Sequence, residues 1–478
     1  MSNYLIPLMV VVPMLCAILV NAFAKFNKSI KVLTFVVAIC LPIIPLLSNY
    51  GLHFFGGYTP MLDNATGVIY HPAITYAFDM LQQIFIAAVG LITFLVAFIY
   101  LSKYKKASGQ YLFLLFMGTA SVTALMLTDD IFNMFVFFEI LALVQVGIVI
   151  ASPMDYSYEM ALKYMILGSI GSPIMLLGIG FLLASTGNIN ISDIIVALHN
   201  GTLSYTSPVF LMSFALIFFG WLYASGLPPF HIIKSGMYSK AEPHGAALLQ
   251  TFTVISMISI VLIMFRIFHE LPIFELLLVL FSVLAMILGV SLALTQTDFR
   301  RMIGYLAVGE LGFIGLGIGL GTQFAITAGL FQALNEIITT ALLFIGFGLI
   351  AYVTKEEDTR KLGGLLAYHP KVGLMLLFGG LAMAGVPPFS GFQSKLMLVQ
   401  ASLSCGYPEL SILAVIVSIA TFYGMFLRPK PKGLEVPDNE VPKSAVFAMV
   451  VLLALIIILG LCPGLVTNGI YEFVGGIL

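Results

Sequence analysis

Apolar runs of membrane-spanning length recur from one end of this chain to the other, and they restrict its fold more than any other feature. Residues 5–20, 32–47, 81–101, 209–223, 276–294 and 445–461 are examples. The hydrocarbon core of a bilayer offers backbone N–H and C=O groups no partner, so such runs must be helices. A membrane strand would alternate over about ten residues, and these runs do not alternate. Composition agrees: 60% of the 478 residues are hydrophobic and 9% charged. A soluble domain carries about 25% charged residues, so no water-solvated surface of ordinary size can be built. The expected fold is all-α integral membrane, about fourteen transmembrane helices in one polytopic domain, 1–478.

Spans are expected near 4–24, 30–50, 72–101, 111–128, 130–151, 159–185, 206–233, 244–268, 272–294, 302–320, 323–353, 372–403, 407–427 and 443–466. The first has no basic n-region and is too long for a signal-peptide core, so it reads as a retained span. The loops and span ends on one side then hold 19 of the 21 basic residues, among them Lys25, Lys103, Lys163, Lys234, Arg300, Arg360, Arg428, Lys430, Lys432 and Lys443. The other side holds Arg266, and Lys395 falls deep within a span. The positive-inside rule makes the basic side cytoplasmic and puts both termini outside. Cys16, Cys40, Cys405 and Cys462 are isolated, which argues against iron–sulfur or structural zinc ligation. No basic patch suggests nucleic acid, and no P-loop or dinucleotide fingerprint is present.

Two segments match: Gly226-Leu227-Pro228-Pro229-Phe230 and Gly385-Val386-Pro387-Pro388-Phe389. Each lies in an apolar run, and each is followed within about two turns by a lysine, Lys234 or Lys395. A Pro pair removes two donors and breaks the helix. At membrane depth such a break is tolerated where it is buried in protein or lines a watery cavity. Paired interrupted helices point to a transporter built of repeats. Kinks that serve packing alone are the alternative.

Ionisable residues recur inside the runs: Glu139, Glu310, Glu336 and Lys395, with Lys163 near a span start. A charge at mid-bilayer costs about 2.5–3.5 kcal/mol, so each needs a partner or a water-filled path. Burial moves carboxylates and lysines toward neutrality, which suits proton transfer. Structural ion pairs between helices are the alternative. His231 and His244 flank the first break and can relay protons, although an interfacial position explains them better. Lys234 is either the switchable cation of the first half or a basic-side lysine at a span end.

Four stretches together resemble the antiporter-like proton-conducting subunits of complex I, Mrp sodium/proton antiporters and membrane-bound energy-converting hydrogenases. They are Asp130–Glu139 (DIFNMFVFFE), Ala161–Gly168 (ALKYMILG), Leu362-Gly363-Gly364-Leu365 and Ala384–Lys395 (AGVPPFSGFQSK). The first looks closest to the Mrp and hydrogenase branch. The resemblance implies fourteen helices, with 1–101 as helices 1–3 and 443–478 as helix 14 and tail. It implies two inverted five-helix repeats, 111–268 and 272–427, broken at helices 7 and 12 by Pro228, Pro229, Pro387 and Pro388. Glu139 becomes the helix-5 glutamate and Lys395 the helix-12 lysine. The sequence also departs from the family. No lysine precedes the helix-7 break at 222–226, helix 8 has neither lysine nor histidine over 249–255, and helix 11 carries Gln332, Glu336 and Thr340.

The implied function is ion translocation, protons alone or exchanged for sodium, along Glu139, Lys163, Lys234, Glu310, Glu336 and Lys395. The chain would be a subunit of a redox-driven complex such as an energy-converting hydrogenase, in a prokaryotic cell membrane. No catalytic or redox site and no cofactor is expected in this chain; iron–sulfur clusters and a metal centre would belong to partners. Those partners would be other membrane subunits, further antiporter-like ones included, and peripheral redox subunits. An Mrp-type antiporter subunit and a non-pumping scaffold are the alternatives, and a stand-alone solute transporter ranks below them.

Overall fold

A computed structural model describes residues 5–55, 61–62, 69–70, 74–152, 154–199, 204–361, 369–427 and 441–478. The Leu362–Leu365 motif and Arg428, Lys430 and Lys432 lie outside the described residues.

The chain is a helical bundle. Spans one to six are α1 (Leu5–Ala22), α2 (Asn27–Leu47), α3 (Met80–Lys103), α4 (Gly109–Leu127), α5 (Ile131–Ile150) and α6 (Ser157–Thr186). A short helix, α7 (Ile191–His199), follows. The seventh span is broken into α8 (Pro208–Ser225) and α9 (His231–Lys240). Then come α10 (Pro243–Phe268), α11 (Pro272–Thr295), α12 (Phe299–Gly319) and α13 (Gln323–Thr354). The twelfth span is broken into α14 (Pro370–Met383) and α15 (Ser390–Ser404). Helix α16 (Pro408–Phe422) runs into a π-helical turn, Tyr423–Leu427, and α17 (Lys443–Leu461) and α18 (Gly464–Gly475) close the chain. Thirteen described helices are long and apolar enough to cross a membrane, and the broken twelfth span makes fourteen.

Local chemistry sets the helix starts. Ser108, Asp130, Ser207, Asp298 and Thr322 accept hydrogen bonds from first-turn N–H groups, which satisfies donors a helix leaves free. Proline occupies the first turn of α8, α10, α11, α14 and α16, where its missing N–H removes nothing.

Three expectations need correction. The third span does not begin near 72. Strand β4 (Thr75–Phe78) pairs antiparallel with β1 (Leu52–Phe55), and β2 (Met61–Leu62) pairs with β3 (Ile69–Tyr70). Helix α3 starts after Asp79, whose N–H donates to Gln82 Oε1 at 3.1 Å. The last span ends at Leu461, before Pro463, and the chain resumes as α18 rather than running on to 466. Helix α7 is an addition to the expected spans; its buried Ile191, Ile194 and Leu198 fall on one face, the spacing of an amphipathic helix.

Helices α10 and α12 are buried along their whole spanning windows and α13 along most of its own, whereas α2, α6 and α16 are mostly open. Polar side chains on α10, α12 and α13 therefore sit inside protein, away from lipid. Contacts between ends agree with the way the helices alternate. On the lysine-rich side Lys103 pairs with Glu242 at 2.9 Å and Arg300 pairs with Glu357. On the opposite side Arg266 pairs with Asp129 at 2.7 Å.

Candidate functional site

Both breaks are built alike. Gly226 ends α8 with φ 72°, and Gly385 follows α14 with φ 76°, left-handed values that suit glycine. A Cβ on Gly226 would lie 2.5 Å from Cγ of Lys234, and one on Gly385 would lie 3.0 Å from Cδ of Lys395. Each glycine thus opens the space that a lysine stem fills. The Pro228–Pro229 and Pro387–Pro388 bonds are both cis. Pro387 has no N–H for the carbonyl of Met383, four residues earlier. The Lys395 ammonium donates to that carbonyl at 2.6 Å.

Lys234 is 2% exposed, so it lies inside the bundle rather than in basic-side water. Its Nζ donates to Gln145 Oε1 at 2.9 Å, to the Tyr164 hydroxyl at 3.3 Å and to Thr253 Oγ1 at 3.4 Å. It also lies 4.8 Å from the Tyr164 ring centroid. All these partners are neutral, and no described carboxylate forms an ion pair with it.

The second half is served differently. Lys395 Nζ meets Glu310 Oε1 at 2.7 Å, and both side chains are almost wholly buried. Gln332 donates to the other Glu310 oxygen at 2.6 Å and accepts from the Ser394 hydroxyl at 2.5 Å. One turn along α13, Glu336 accepts from Gln250 at 2.9 Å and from Thr340 at 2.5 Å. Glu336 has no cationic partner among the described residues.

Helix α10 joins the two halves. Thr253 faces Lys234, and Gln250, three residues earlier, faces Glu336. The Tyr238 hydroxyl also bonds Thr253, at 2.9 Å. The polar row therefore runs Lys234–Thr253–Gln250–Glu336 and then, through the α13 turn to Gln332, Glu310–Lys395.

Two expected members stand apart. Lys163 lies on the open face of α6 and pairs with Glu159, four residues earlier, with both side chains more than half exposed. The Glu159–Lys163 spacing is itself the signal of a helix-surface pair. Glu139 lies on α5 with its Oε1 buried and unpaired, near the tyrosines at 164 and 223 rather than beside Lys234. Sequence reasoning missed Gln145, Gln250, Thr253 and Ser394. The two glutamines carried a usable signal, since each interrupts an apolar run.

Known proteins share this sequence pattern and this fold. Residues 128–421, more than half the chain, match the family described as NADH:quinone oxidoreductase/Mrp antiporter, transmembrane. An uncharacterized protein of Methanocaldococcus jannaschii is 38% identical, with 98% of both chains covered. A Na(+)/H(+) antiporter subunit of Alkalihalophilus pseudofirmus is 26% identical over 96% of this chain and 94% of its own length. A chain of the membrane-bound sulfane sulfur reductase, an archaeal respiratory membrane complex, shares the fold with a TM-score of 0.84 and 23% identity, over 99% of this chain and 97% of that one. This chain belongs to the NADH:quinone oxidoreductase/Mrp antiporter family as an antiporter-like membrane subunit.

Proposed function

We propose that this subunit moves protons, alone or in exchange for sodium, along the row from Lys234 to Lys395. The observation that carries the reading is the pair of unneutralised buried groups on either side of α10. Lys234 has only neutral partners, and Glu336 has only neutral donors. An ammonium and a carboxylate held apart in a low-dielectric interior are both expensive. Passing a proton from Lys234 to Glu336 removes both charges at once: the N–H bond breaks and an O–H bond forms. Thr253 and Gln250 line the gap, and the buried, unpaired Gln250 Oε1 is suited to a bridging water. The state of Glu336 then acts on Glu310, which is bonded to Gln332 one turn from Glu336 on α13, and so on the Lys395 ion pair.

In this reading Lys234 takes the place of the lysine absent before the first break, and the likeness of the two breaks supports inverted repeats. Positive-inside asymmetry supports a cytoplasmic lysine-rich side with both termini outside. A respiratory relative in fold supports a redox-driven complex with peripheral redox subunits. The sodium/proton antiporter relative supports the Mrp-type alternative. A scaffold would need no buried charges at its centre, and this centre holds four. The test is charge translocation by the reconstituted complex with Lys234→Met: loss of translocation with assembly retained is expected, and normal rates refute the row.

A further inference from the structure

At the lysine-rich end of α10 a second polar cluster borders an open cavity of about 750 Å³, whose wall includes Lys103, Glu242, His244, Arg300, Glu357 and Lys443. Glu242 is held on one oxygen and approached on the other. Lys103 Nζ and the Tyr104 hydroxyl reach Oε1 at 2.9 and 2.5 Å, and His244 Nε2 lies 3.1 Å from Oε2, off the hydrogen-bond line. His244 is 4% exposed and packs against the rings of Tyr100 and Tyr111. Three buried polar atoms here have no partner: His244 Nε2, the Tyr111 hydroxyl and Gln250 Oε1. Buried unpaired groups of this kind mark places for ordered water. His244 and Gln250 are six residues apart on α10, about 9 Å along the axis, and Gln250 already donates to Glu336.

We propose that Glu242 and His244 form the proton-collecting site of the subunit, drawing protons from the cavity and passing them through water, past Tyr111 and Gln250, to the Glu336 carboxylate. The inference rests on the translocation reading above. Each transfer is balanced: Glu242 takes a proton from cavity water, His244 Nε2 accepts it as the carboxyl O–H breaks, and the imidazole releases it inward to water. Lys103 and Tyr104 hold Glu242 at the cavity rim. Arg300, paired with Glu357, and the exposed Lys443 complete the charged wall. Burial pushes the Glu242 carboxyl up, but His244, Tyr104 and Lys103 together outweigh it and leave it below its ordinary value. A carboxylate that stays ionised near neutral pH suits collection.

The experiment compares Glu242→Gln, His244→Gln, His244→Gly and Glu336→Gln in the native complex reconstituted into liposomes, with translocation followed across pH. Both Gln variants at the rim should slow translocation by about tenfold or more, as the loss of a proton-transfer group does, with the deficit growing as pH rises. External imidazole should restore the Gly variant, and pyrazole, similar in size but far less basic, should not. Normal rates and an unchanged pH profile in both rim variants, with Glu336→Gln inactive, overturn the collecting site and leave the row intact. Normal rates in Glu336→Gln overturn the row itself. Equal rescue by pyrazole assigns His244 a packing role and overturns the proposal.

Discussion

Replacing Lys234 and Lys395 by methionine should affect stability very differently, although both are buried lysines behind a Pro–Pro break. Lys395→Met leaves Glu310 buried with Gln332 as its remaining donor. Removing one partner of a buried pair costs about 3–5 kcal/mol. The Met383 carbonyl also loses its partner, at about 1 kcal/mol. Lys234→Met removes three hydrogen bonds to neutral groups, two of them long, at about 0.5–1.5 kcal/mol each. It also removes a buried ammonium without a counter-ion, whose desolvation penalty is several kcal/mol. These terms oppose, so the net change should stay within about 2 kcal/mol. SDS-induced unfolding in mixed micelles measures the difference. A loss at Lys234→Met as large as at Lys395→Met would refute the reasoning, because it would mean that Lys234 has an anionic partner.

Gly226→Ala should displace the Lys234 stem and strain the left-handed backbone by about 1–2 kcal/mol, with translocation falling more than stability; flux and thermal midpoint read both. Lys163→Met should translocate normally and lose about 0.5 kcal/mol or less, the worth of an exposed i,i+4 pair, as a flux assay and unfolding titration would show. The Lys103–Glu242 tie between α3 and α10 should weaken in acid. The folded Glu242 carboxyl lies below its ordinary 4.5, so its stabilisation is present above 4.5 and is lost as pH falls through the lowered value. Melting against pH should show that loss in the wild type and not in Glu242→Gln.

The spans were legible because lipid leaves one solution to the backbone, and the breaks because proline cannot donate. Strand Thr75–Phe78 is hidden by the apolar run beside it when that run is read back across Asp79 to begin near 72. Lys395, Glu310 and Glu336 stood out as charges in apolar runs, but which glutamate pairs with Lys395 depends on how α12 and α13 face the second break. Lys234 was undecided because its loop is short, and packing against Gln145 and Tyr164 places it. Gln250 and Thr253 link the halves only because α10 lies at the centre, a fact of packing that no local pattern carries. Lys163, a charge near a span end, reads as a path residue only without its neighbour Glu159, with which it pairs on the open face of α6.

The most direct measurement is ion flux through the reconstituted complex carrying Glu336→Gln, a change that keeps shape and removes only the titratable charge. The account predicts that coupled translocation is lost while subunit content and thermal stability stay at wild-type values. Wild-type flux in that variant would contradict it.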